Sequence, residues 1–219
     1  MKKAKNITES QNINSIDIDT KNISEIIKIF NHDNKDIIDG ISNSSDDIEN
    51  IVRLTLESLL DGGKLFYVGA GTSGRLGVLD AAECKPTFSV EDSMVQGIIA
   101  GGKKALSESI EGAEDKIDNV KEIIDNKQIS SNDIVIGISC SGRAPFVLEF
   151  LKLSKKIGAK TVLITFNDVD DIKYIDKILK VFVGAEIISG STRMKSGTAT
   201  KMILNMISTI TMIKLNKTY

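Results

Sequence analysis

Tryptophan is absent from this 219-residue chain, and proline, cysteine and histidine number only two, two and one. Aromatic residues make up 5%, too few to build the stacking platforms on which single-stranded bases lie. Charge of one sign is lacking too. Lys and Arg total 28 against 30 Asp and Glu, so there is no basic stripe and no nucleic-acid partner is expected. Cys84 and Cys140 form no C-x-x-C pair, and free thiols in a reducing compartment are expected rather than a disulfide. The lone histidine, His32, reads as a surface residue, and no His/Cys/carboxylate cluster has ligand spacing, so neither metal nor cofactor is expected. The basic start, Met1-Lys-Lys-Ala-Lys5, runs into polar residues with no apolar h-region, so no signal peptide is expected. The longest greasy stretch, Met202 to Ile213, contains Asn205, Ser208, Thr209 and Thr211. It is too short to span a bilayer and reads as a buried helix, in a cytoplasmic protein with no membrane partner.

What is present is a core. Apolar residues are 41% of the chain, enough for one α/β domain and an appendage. Residues 1 to about 22 lack periodicity and read as an arm, with a short helix at Ile23 to Phe30. Apolar positions from Asp36 to Leu60 recur at helical spacing. The cluster Ser42-Asn-Ser-Ser-Asp-Asp47 interrupts them, with Ser44 or Ser45 as N-cap of a second helix that stops at Asp61-Gly-Gly63. The division expected is an arm and helix over 1–45 and a ligand-binding domain over 46–219.

Strands and helices then alternate. Strands are expected at Leu65–Val68, Met94–Ile99, Ile134–Ile138, Thr161–Thr165 and Leu179–Val183. Helices are expected at Ser73–Cys84, Lys103–Ser109, Asp115–Lys127, from Pro145, and over Met194–Leu215. Several strands are unbroken apolar runs, the mark of a parallel sheet covered on both faces. The fold class is therefore α/β, a doubly wound five-stranded parallel sheet in the order 2-1-3-4-5 with an N-terminal helical arm.

Three loops carry the chemistry: Gly69-Ala-Gly-Thr-Ser-Gly-Arg75, Ser139-Cys-Ser-Gly-Arg-Ala-Pro145 and Gly190-Ser-Thr-Arg-Met-Lys195. Each follows an apolar run and combines glycine, small hydroxyls and a cation. Glycine admits an anion to the backbone, hydroxyls and amides donate to it, and the next helix points its positive end at it. The first loop also fits G-x-G-x-x-G, but the second strand ends Ile98-Ile-Ala-Gly-Gly102 without the acid that a dinucleotide's ribose needs. In the order 2-1-3-4-5 the crevice opens between strands 1 and 3. There Thr72, Ser73, Ser139, Ser141, Gly142 and Arg143 are candidate phosphate ligands, joined by Ser191, Thr192, Arg193 and Lys195 from the third loop. One serine alone would be an ordinary helix cap; two at the switch point favour a phosphorylated small molecule.

The stretch Gly69-Ala-Gly-Thr-Ser-Gly-Arg-Leu-Gly-Val-Leu-Asp-Ala-Ala-Glu-Cys84 resembles the signature of the N-acetylmuramic acid 6-phosphate etherases, within the sugar-isomerase (SIS) domain superfamily. Glu111-Gly-Ala-Glu-Asp115, Ser141-Gly-Arg143, Gly190-Ser-Thr-Arg-Met-Lys-x-Gly-Thr-Ala199 and the arm block Thr8-Glu9-x-x-Asn12-x-x-Ser15 are similar to further blocks of that family, in the same order. The resemblance implies a lyase that removes D-lactate from C3 of the 6-phosphorylated amino sugar, with Glu83 as general acid, Glu114 as base at C2, and Asn12 among the substrate-binding residues. On the residues alone both glutamates read as solvated. Ser73 and Glu83 lie ten residues apart, ~15 Å along an unbroken helix. Either the helix breaks at Gly77 or a homodimer shares the site; the shared site is the expectation. The alternatives are a non-catalytic sugar-phosphate sensor and a sugar-phosphate isomerase, the second disfavoured because the α/β part has no histidine. The chain departs from the family pattern at Ala144, where threonine is usual, and at Lys85-Pro86, where a double proline is usual and a looser loop is expected. It also ends at Tyr219, where relatives usually continue, so either a shortened chain or a divergent protein is expected, and a shortened chain would bind the sugar phosphate without turning it over.

Overall fold

The computed structural model of the protein describes residues 6–218. Five strands form one sheet: β1 (Leu65–Gly69), β2 (Val95–Ile99), β3 (Ile134–Ile138), β4 (Lys160–Thr165) and β5 (Lys177–Lys180). Their order is β2-β1-β3-β4-β5 and every pairing is parallel, the order expected from the sequence. Side chains of a strand alternate between faces, and here both faces are covered. Leu65 and Tyr67 of β1, with Ile134, Ile136 and Ile138 of β3, enter one core with the helices α3 (Ser45–Leu60) and α7 (Lys195–Lys214). Phe66, Val68 and Val135 enter the other, with α5 (Val120–Lys127) and α6 (Pro145–Ile157).

The N-terminal segment is docked by polar groups. Its 3-10 turns at Ile7–Glu9, Ile13–Ser15 and Ile18–Thr20 bury Thr8 and Asn12. Helices α1 (Ile23–Asp33) and α2 (Lys35–Ser42) follow. A capping box opens α1, with Asn22 and Glu25 each bonding the other's amide. Ile37 and Ile41 of α2 pack into the same core as Ile48 and Ile51 of α3.

Several boundaries differ from the sequence expectation. Helix α4 runs from Gly71 to Phe88 without a break at Gly77 and continues through Pro86. Phe88 is buried and Ser89 closes the helix in the left-handed region, its amide bonded to Lys85 O; burial outweighs the missing proline donor. The expected helix at 103–109 shrinks to a 3-10 turn at Lys103–Leu106. The one at 115–127 becomes a turn at Ala113–Asp115 and the short α5. Gly101, Gly102 and Gly112 have positive φ and break the run. Strand β5 starts two residues earlier than expected and ends at Lys180; the Val181 amide still donates to Thr165 O at 2.9 Å, and Val181 and Val183 are buried beyond the strand. Ser44 stands before α3, but its hydroxyl donates backward to Gly40 O at 2.9 Å and caps nothing. No helix among the described residues is long and apolar enough to cross a membrane.

Candidate active site

A cavity of about 390 Å³ opens where β1 and β3 end, at the point where the strand order reverses. Its floor comes from two strand-to-helix turns. After β1, the chain turns directly into α4. A β-carbon at Gly69 would stand 2.6 Å from the amide of Gly74, so glycine permits the helix to start against the strand. No side chain caps α4. Ala70, Gly71, Thr72 and Ser73 line the cavity, and the first-turn amides there have no partner within the helix.

After β3, Ser139, Cys140 and Ser141 line the facing side. Ser139 Oγ accepts from the Ala144 amide at 3.3 Å and Ser141 Oγ from the Arg143 amide at 3.2 Å. Each hydroxyl keeps its proton for a ligand or for the other, 3.4 Å away. The turn is locked from β4: Thr165 Oγ1 and Asn167 Nδ2 both donate to Cys140 O, at 3.1 and 2.9 Å. Cys140 Sγ lies 3.7 Å from Ser73 Oγ and so joins the two turns. Burial pushes its thiol up, partly offset by the hydroxyls of Ser73 and Thr192.

The walls are Glu114, which follows left-handed Gly112; Gly190 and Thr192 of the third loop; and Thr8 and Glu9 of the arm. The arm is fixed there through Asn167, whose Nδ2 donates to Thr8 Oγ1 at 2.9 Å, and by the Gly190 amide donating to Thr8 O at 3.0 Å. Among the described residues no Lys or Arg lines the cavity. Its donors are hydroxyls, amides and helix starts.

Of the residues expected at the site, Thr72, Ser73, Ser139, Ser141, Thr192 and Glu114 meet at this cavity. The others do not line it. Gly142 has φ +69° and makes the turn, its amide bonded to Ser139 O. Arg143 and Arg193 are exposed and Ser191 is half-buried. Asn12 is buried: its amide group donates to both Asp33 oxygens and to Ala185 O. Lys195, expected to hold an anionic ligand, is 2% exposed and paired with Asp33 at 2.9 Å and Asp36 at 3.2 Å. The anion at the start of α7 is the protein's own Glu186. This fully buried carboxylate accepts from the amides of Lys195 and Ser196 and from Ser196 Oγ. Glu83 is exposed on α4, ~15 Å along the helix from Ser73.

Sequence reasoning missed Glu9, Cys140 and Asn167 as parts of this site. Each left a signal that was not used: Glu9 stands in the arm block, Cys140 within the second loop, and Asn167 directly after a buried strand. That Glu9 and Cys140 reach the cavity depends on the fold of the arm and the approach of two turns.

Residues 47–155 match the model of the glucokinase regulatory protein N-terminal SIS domain. The N-acetylmuramic acid 6-phosphate etherase of Clostridium botulinum (strain Eklund 17B / Type B) is 49% identical over 213 residues, 97% of this chain and 71% of that protein. The enzyme of the same name from Bacillus mycoides (strain KBAB4) is 44% identical over 97% of the chain and 72% of that protein. Among solved structures, a putative sugar-phosphate isomerase from Listeria monocytogenes superposes with a TM-score of 0.63 at 17% identity, covering 90% of this chain and 94% of that one. The Vibrio vulnificus NanR protein complexed with ManNAc-6P gives 0.56 at 12% identity, over 86% and 64%. These two likenesses establish the fold. With a fold, a hydroxyl-lined crevice and relatives that agree over nearly its whole length, the chain belongs to the N-acetylmuramic acid 6-phosphate etherase family.

Proposed function

We propose that the protein is an etherase, a carbon–oxygen lyase that releases D-lactate from N-acetylmuramic acid 6-phosphate and leaves N-acetylglucosamine 6-phosphate. The observation that carries this reading is the cavity that two uncapped turns, four serine or threonine hydroxyls on those turns and Glu114 line together. The phosphate accepts hydrogen bonds from amides and hydroxyls at the starts of α4 and α6. In the ring-opened sugar the aldehyde acidifies the C2 proton. Glu114 takes it, the electron pair forms the C2–C3 double bond, and the C3–O bond breaks. An acid gives the departing lactate its proton. Water then adds its hydroxyl at C3, and a proton returns to C2.

The acid in this reading is Glu83 of a second copy of the chain. On α4, Glu83 shares a face with Leu79, which is 47% exposed. That pairing of a free carboxylate with an uncovered apolar side chain supports a homodimer with shared sites. In the division into an arm and a ligand-binding domain, Thr8 and Glu9 of the arm wall a pocket that the domain builds, in a cytoplasmic enzyme of cell-wall sugar recycling.

The test is incubation of the purified protein with N-acetylmuramic acid 6-phosphate and measurement of D-lactate. Stoichiometric lactate supports the reading. Phosphate-dependent binding without lactate converts it to a sensor, and ketose without lactate to an isomerase.

A further inference from the structure

The cavity holds a second carboxylate that the reaction above does not use. Glu9 lines it together with Glu114, from the N-terminal arm. Its position is built. Thr8, beside it, is 2% exposed and held by Asn167 and Gly190. Across from it, Gly190 has φ +75°, and a β-carbon there would stand 2.8 Å from Glu9 Oε2. The third loop thus leaves room for this carboxylate. Yet Glu9 takes part in none of the ion pairs among the described residues.

We infer that Glu9 is a substrate-contacting, specificity-determining residue, which accepts hydrogen bonds from the neutral part of the sugar phosphate. The inference rests on the sugar-phosphate reading of this cavity. An ionised carboxylate only accepts, and a phosphate dianion repels it. Glu9 therefore contributes nothing to holding the phosphoryl group. What a phosphorylated amino sugar offers at its other end is donors, its hydroxyls and its acetamido N–H. Such bonds to an ionised acceptor are about twice as strong as neutral ones. The same charge disfavours a second anionic group on the arm's side, so the lactyl carboxylate of the substrate points away from Glu9.

The experiment compares wild type, Glu9→Gln and Glu9→Ala for binding of N-acetylglucosamine 6-phosphate and of inorganic phosphate. Thermal unfolding of each variant confirms an intact fold, since Glu9 is an exposed residue. Expected is a loss of roughly tenfold or more in sugar-phosphate affinity for Glu9→Ala, the size of one bond to a charged group. Glu9→Gln falls between, and the phosphate constant is unchanged or slightly improved. The etherase KM rises with the loss of affinity. Equal affinity of wild type and Glu9→Ala for the sugar phosphate overturns the inference and leaves the etherase reading standing. Equal losses for both ligands also overturn it, because the arm would then be acting as scaffold. A wild type that binds phosphate but no sugar phosphate removes both readings together.

Discussion

The residue that most changes meaning between sequence and structure is Lys195. Beside a hydroxyl pair at a helix start, its cation reads as an anion ligand. In the fold it is buried between Asp33 and Asp36, while Glu186 occupies the helix start. Nothing local in the sequence distinguishes these uses, since the partners stand 162 and 159 residues away. A buried pair broken on one side leaves an uncompensated charge and costs about 3–5 kcal/mol. Lys195→Met is therefore expected to lose about that much in urea or thermal unfolding, while protein that remains folded binds sugar phosphate normally. The pH dependence has a definite sign. Burial raises the Asp33 carboxyl, but Asn12, Lys195 and Asn14 together outweigh it and hold the group below its ordinary value. Its contribution is thus present above the unfolded pKa of about 4 and disappears as pH falls through the lower folded value. The Lys195→Met deficit should narrow in acid. A variant of wild-type stability that no longer binds the sugar phosphate would return Lys195 to the ligand shell.

At the scale of elements, the strands of the sheet were legible because their signal is local. Continuous apolar runs such as Ile134–Ile138 are buried at every position, and the alternation of strand and helix dictates the parallel layer. The ends were less legible. Proline predicts a stop before Pro86, yet α4 runs to Phe88 because the core receives that ring. The helix α6 shows where sequence and site meet. Its N-cap is Ala144, with φ −57° and ψ 116° and no side-chain cap bond. Ala144 also lines the cavity. Ser139 already accepts from the Ala144 amide, so the departure from the family's threonine is only partly offset. Ala144→Thr is expected to cap α6 for about 1 kcal/mol, a rise of roughly 2–4 °C in Tm. It should also tighten phosphate binding several-fold through the added donor. Calorimetry and titration read the two effects separately. A Tm gain with no change in affinity would show that the phosphate lies nearer α4 than α6.

For the whole molecule, the issue is whether one chain suffices. Six of the expected site residues line one cavity, and their placement follows from the switch point that strand order alone identifies. Glu83 does not join them, and the reason is geometric: α4 is unbroken, so its carboxylate stands ~15 Å along the axis from Ser73. A helix that long carries the group out of its own pocket unless a neighbour's pocket receives it. In a two-fold dimer with shared sites, each site takes Ser73 from one chain and Glu83 from the other. Mixing Ser73→Ala with Glu83→Gln then yields heterodimers in which one site is doubly mutant and the other fully intact. With random exchange half the dimers are mixed, so recovered activity should reach about one quarter of wild type, starting from two preparations that are each nearly inactive. The recovery must grow with time allowed for subunit exchange and vanish if the variants are assayed before exchange. Persistent inactivity after verified exchange would mean that Glu83 serves its own chain through a motion of α4 or takes no part in the chemistry, and the acid would have to be sought among groups already inside the cavity.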